Sequence, residues 1–116
     1  MQVTRIFTGD DGESHFEDVD VEMEESGLAG LMSAPVAAKS VIFREVTGDY
    51  KLDFHCAPRR QYVVNLTGSV EIENGLGETR LLGPGSILLA EDTTGRGHIS
   101  RAVESQSRQC LFIPLA

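Results

Sequence analysis

The sequence predicts an all-β domain, a barrel or sandwich of about ten short strands. Three observations lead there. Apolar and polar residues alternate over short runs, glycine-bearing turns separate the runs, and almost nowhere does a 3.6-residue apolar period persist over three turns. At 116 residues and with 41% hydrophobic residues, the chain has the size and composition of one globular domain with a real core. No repeat, low-complexity tract or linker divides it, so residues 1–116 are read as a single domain.

Val3–Phe7 opens the series of strands. In Phe16–Glu24, Val19, Val21 and Met23 alternate with Asp18, Asp20, Glu22 and Glu24, the pattern of a strand with one wet face. Ser26–Ser40, rich in Ala, Gly and Ser with Pro35 inside it, reads as a loop with one helical turn, either a mobile flap or a simple connection. Then follow Val41–Val46, Tyr50–Phe54, Gln61–Leu66, Val70–Glu73, Thr79–Leu82, Ile87–Ala90, Ile99–Val103 and Cys110–Pro114. Between them Thr47-Gly48-Asp49, Thr67-Gly68-Ser69, Asn74-Gly75-Leu76-Gly77 and Gly83-Pro84-Gly85 supply residues that accept positive φ or preset a bend, which favours antiparallel pairing. The strand at Gln61–Leu66 is unusual. Tyr62, Val64 and Leu66 make one face apolar while Gln61, Val63 and Asn65 make the other partly polar, so a polar interior and a covered exterior are expected, with a homodimer as one way to cover it.

Charge narrows the partners. The net charge is -8, and residues 1–26 carry nine acids against Arg5 alone, so the remaining 90 residues sum to zero. That acidity repels nucleic acid and anionic membrane surfaces, and any field inside a pocket must come from local arrangement. The apolar runs are far shorter than the ~18 residues of a membrane span. The N-terminus lacks the pattern of a secretory signal, and Cys56 and Cys110 form no C-x-x-C pair or disulfide framework, so a cytoplasmic protein is expected. The Asn65-Leu66-Thr67 sequon falls inside a strand-like run and is read as chance. Neither a G-x-S-x-G elbow nor a phosphate-cradling loop before a helix is present.

Two of the three histidines, His55 and His98, stand in suggestive surroundings. The run His55 to Gly68 resembles the first motif of the cupin superfamily, with His55 at its first histidine, Ala57 where the second usually stands, Gln61 at its glutamate and Gly68 at its closing glycine. The run Gly85 to His98 is similar to the second motif, with Gly95 three residues before His98 and His98 in place of its ligand histidine; Thr93 and Ala102 stand where proline and asparagine are usual. The resemblance covers about Val41 to the C-terminus and is to small single-domain bacterial cupins. It implies a cupin-type double-stranded β-helix, a jelly-roll barrel, with residues 1–40 as N-terminal strands and loop, and a cavity at one barrel mouth that His55, Gln61 and His98 share.

In such a cavity His55, Gln61 and His98 would hold a divalent metal, Zn, Ni, Fe or Mn. Here one imidazole and one carboxylate of the usual set are missing, and a side-chain amide is a poor ligand for such ions. A metal-free cavity is favoured, with the same three residues orienting a small polar or anionic molecule. Cys56, by strand parity, points away from His55. Arg59 and Arg60 are candidates to clamp a carboxylate or phosphate at the rim, or else pair with Glu91 or Asp92. Glu91 and Asp92 are in turn candidates for acid–base work, for an anionic ligand, or for turn-making with Thr93-Thr94-Gly95. The functional expectation is a small-molecule-binding protein; the alternative is a metal-dependent dioxygenase, isomerase or lyase acting on a small organic acid, sugar or carbonyl compound.

Overall fold

The computed structural model describes residues 1–116 and is all-β. Its strands are β1 (Gln2–Thr8), β2 (Ser14–Asp20), β3 (Glu24–Glu25), β4 (Leu31–Met32), β5 (Ile42–Val46) and β6 (Lys51–His55), then β7 (Gln61–Thr67), β8 (Val70–Glu73), β9 (Thr79–Leu82), β10 (Ile87–Glu91), β11 (His98–Ala102) and β12 (Arg108–Pro114). No helix is long and apolar enough to cross a membrane.

Two sheets carry the molecule. One has the order β2-β1-β10-β7-β12-β5 and the other β6-β11-β8-β9, and residues of both line one cavity, so the sheets face each other across it. Pairing stops at β2 and β5 in the first sheet and at β6 and β9 in the second, so the sheets remain separate and do not close into one ring.

The expected strands appear with local differences. The strand expected over Phe16–Glu24 starts earlier and ends at Asp20, because its partner β1 starts at Gln2, which stands opposite Asp20. Only the Val21 amide, on the Met1 carbonyl, continues the pairing. Within the segment 26–40, a 3-10 turn at Gly27–Ala29 separates β3 from β4, which pair as a two-residue ladder. The pairing of β1 with β10 is parallel, not antiparallel. No tight turn joins these two strands, so nothing in the connection imposes the antiparallel sense.

Strand parity decides what the cavity sees. Gln61, Val63 and Asn65 of β7 face it, as do Leu88 and Ala90 of β10. On the opposite face Tyr62 stands beside Leu89 and Ile113, Val64 beside Ile87 and Leu111, and Leu111 beside Phe43, which is 83% exposed. The core is correspondingly thin. Val70, Ile72, Leu82, Leu88 and Ala90 are buried, yet each also forms cavity wall, so the space between the sheets is lined and not filled.

Candidate functional site

Neighbouring strands bring the two histidines together. His55 ends β6 and His98 begins β11, and they are directly opposite in an antiparallel ladder that is irregular between His98 and Ser100. Their ring centroids lie 4.5 Å apart with a 55° tilt. Gly97 makes this possible, because its φ of +79° and lack of a side chain let β11 start directly against the His55 carbonyl.

Each ring is fixed through Nδ1. His55 Nδ1 lies 2.8 Å from the Asp53 carbonyl oxygen. A carbonyl only accepts, so His55 carries a proton on Nδ1, and Nε2 of the neutral ring is an acceptor. His98 Nδ1 bonds Oδ2 of Asp92, and both residues are buried. Asp92 sits just beyond β10, and its carbonyl also accepts the Ala57 amide at 3.1 Å, linking the segment after β10 to the start of the β6–β7 connection. Its Oδ1 has no partner. Neither Nε2 is engaged by the chain, so two adjacent imidazole nitrogens remain for a ligand.

Burial, the largest influence, moves His55 below the ordinary imidazole value. The charges of His98 and Arg44 act the same way, against the Asp53 carbonyl and Asp92. A depressed folded value means that His55 contributes fully to stability above about pH 6.5, where the unfolded chain is also neutral, and that this contribution is lost as pH falls through the folded value. The urea midpoint is therefore expected to decline as the solution is acidified from about pH 6.5, with a shallower decline in His55→Gln. In a histidine NMR titration His55 should have its midpoint below the free imidazole value; a midpoint at or above it contradicts the cavity-wall placement.

The other expected residues divide. Gln61 is buried on the cavity wall, and its Oε1 accepts from Arg59 at 3.1 Å. Arg59 and Arg60 do not line the cavity. Arg60 pairs with Glu91, which also takes Arg5 at 2.6 Å; burial works to raise Glu91, but the two arginines hold it below the usual carboxylate range. These groups tie β1, β10 and the start of β7 together. Cys56, turned from the imidazoles, donates its thiol to the Gly95 carbonyl at 3.1 Å.

The arginines on the cavity wall are Arg44 of β5 and Arg108 of β12. Sequence reasoning passed over both. The available signal was parity: Arg44 lies between Ile42 and Val46 on one strand face, and Arg108 continues the face of Cys110 and Phe112. Neither pairs with a carboxylate. Arg44 stacks over Tyr50 and Phe112, 5.0 Å from each ring centroid, and its Nη1 lies 3.8 Å from Cys110 Sγ. Arg108 is 5% exposed and lies 5.7 Å over the same Tyr50 ring. Burial pushes its guanidinium below the usual arginine value, and the nearby Arg44 charge adds to the effect.

No family model and no curated protein matches the chain.

The residues present suit a metal poorly. Two imidazoles converge, but no group of three or more His, Cys, Asp or Glu side chains is placed to hold an ion. Gln61 Oε1 is already an acceptor for Arg59, Ala57 presents only a methyl group, and the Arg44 charge reaches His55. A cation would enter a cavity whose wall holds two guanidinium groups and no carboxylate. What the cavity can do is hold a small molecule. Its volume is about 240 Å³, below the roughly 300–1,000 Å³ of pockets for drug-sized ligands. Ten of the 19 lining residues are apolar, and the polar ones include the two imidazoles and the two guanidiniums.

Proposed function

We propose that this chain is a cupin-type jelly roll that binds a small polar or anionic molecule in the cavity between its sheets, without a resident metal. One observation carries the reading: two imidazoles, each fixed through Nδ1, leave adjacent Nε2 atoms free at a cavity of 240 Å³. The strand order supports the fold assignment, since β5-β12-β7-β10 faces β6-β11-β8-β9 in the manner of two interleaved four-stranded sheets. Free Cys56 and Cys110 suit a reducing cytoplasm.

Thermal denaturation with a panel of small polar molecules, in the presence of chelator, tests the binding reading. A ligand at ~100 times its Kd adds about 2.7 kcal/mol, a shift of several degrees in Tm. Leu52 is 43% exposed and also lines the cavity, which places it at the mouth. Leu52→Trp should abolish the response. If instead Fe, Mn, Ni or Zn raises Tm in chelator-free buffer and His55→Ala removes that effect, the chain is better read as a metal-dependent enzyme.

The exposed apolar face around Phe43, Val64, Leu66 and Leu111 is assigned to a homodimer, the arrangement that removes it from water. Light scattering at micromolar concentration should give twice the 12.6 kDa chain mass; a monomer rules the dimer out.

A further inference from the structure

We propose that Arg44 and Arg108 form a carboxylate-binding site inside the cavity, and that the ligand is a small organic acid with a compact apolar body. The inference rests on the cavity being a ligand site and names the class of molecule it takes.

Five of the eight arginines, Arg5, Arg60, Arg80, Arg96 and Arg101, reach a carboxylate. The exceptions include the two that line the cavity. Arg108 donates no side-chain hydrogen bond to the chain although it is buried, and a buried charge without a partner is costly unless something else supplies one. In a chain of net charge -8, a cavity wall with two guanidiniums and no carboxylate is a local inversion of sign.

The two groups are also prearranged. Arg44 stands opposite Cys110 in the ladder of β5 and β12, and Arg108 is two residues from Cys110, so the arginines are diagonal neighbours on one sheet face. Tyr50 underlies both, and Phe112 packs against Arg44, which holds the guanidiniums and their forks of donors while only Arg44 Nη1 is engaged, by the Cys110 sulfur at 3.8 Å. Planar two-oxygen anions match such forks. The remaining wall includes the apolar side chains of Leu52, Val63, Val70, Ile72, Leu82 and Leu88, which suit a hydrocarbon body in place of the hydration shell that inorganic phosphate keeps.

The test uses the whole protein and calorimetric titration of isovalerate and benzoate, their neutral amides, and inorganic phosphate. The acids should bind at least tenfold more tightly than their amides, and phosphate should not compete. Arg108→Met should weaken the acids by ten- to a hundredfold and leave apo Tm unchanged or raised, because it removes an unpaired buried charge; Arg108→Lys should recover part of the affinity. Acids and amides binding alike, with no effect of Arg108→Met, overturn the carboxylate site but leave the cavity reading standing, provided Leu52→Trp still abolishes both. Competition by phosphate at equal affinity overturns the organic-acid assignment. Failure of every probe to bind overturns the cavity reading with it. Lower apo Tm in both Arg108→Met and Arg44→Met, with unchanged affinity for the acids, makes the arginines structural and overturns the proposal.

Discussion

Gly97→Ala is expected to cost roughly 3–5 kcal/mol, among the largest effects a single methyl can have in this chain. An added Cβ would fall 1.9 Å from the His55 carbonyl oxygen and 2.3 Å from its carbon, contacts that force β6 and β11 apart. The backbone at Gly97 is also left-handed, with φ +79°, which costs an L residue about 1–2 kcal/mol by itself. Gly77 separates the two contributions. Its φ is +80°, but nothing lies within 4 Å of where its Cβ would be, so Gly77→Ala should show the conformational cost alone. Urea denaturation of both variants measures the difference. Equal losses mean that the His55 backbone does not press on Gly97, and that the paired imidazoles are not set by this contact.

Asp92→Leu is expected to cost about 2–4 kcal/mol by leaving the buried His98 Nδ1–H without its acceptor. The isolated cost does not prove a pair, since any buried substitution can be expensive. The decisive comparison adds His98→Phe. Replacing both partners by apolar groups removes the stranded donor, so the double variant should cost less than the two singles together, with a coupling of about 1–3 kcal/mol. Strict additivity means that Asp92 and His98 act independently. Asp92 Oδ1 has no partner, so the carboxylate holds the ring through Oδ2 alone.

Strand faces were largely legible in the sequence, because alternation reports which side of a strand is wet. Val19 and Val21 are half-buried while Asp18, Asp20 and Glu22 are exposed, and Gln61 and Asn65 turn inward opposite Tyr62 and Leu66. Motif spacing led to His55 and His98, which do stand against each other. Alternation does not report depth or partners. Arg59 and Arg60, adjacent to the histidines in sequence, read either as an anion clamp or as partners of Glu91 or Asp92; Arg60 does pair with Glu91, and the arginines reaching the cavity come from β5 and β12, brought together by long-range pairing. The same limit applied to Asp92. Its composition signalled a turn, and only the fold shows the carboxylate under the His98 ring. The parallel β1–β10 ladder was equally hidden, since no tight turn joins the two strands and short turns report only on antiparallel neighbours.

The two ends of the larger sheet differ in kind. β2, at one end, presents Glu17, Asp18 and Asp20 to solvent, whereas β5, at the other, presents Ile42 and Phe43. A second copy adding its backbone at the β2 end would lay like charges beside one another, which blunts that edge against strand addition. Within this sheet only the β5 end stays open to strand addition, and a self-complementary contact at that edge closes on two copies.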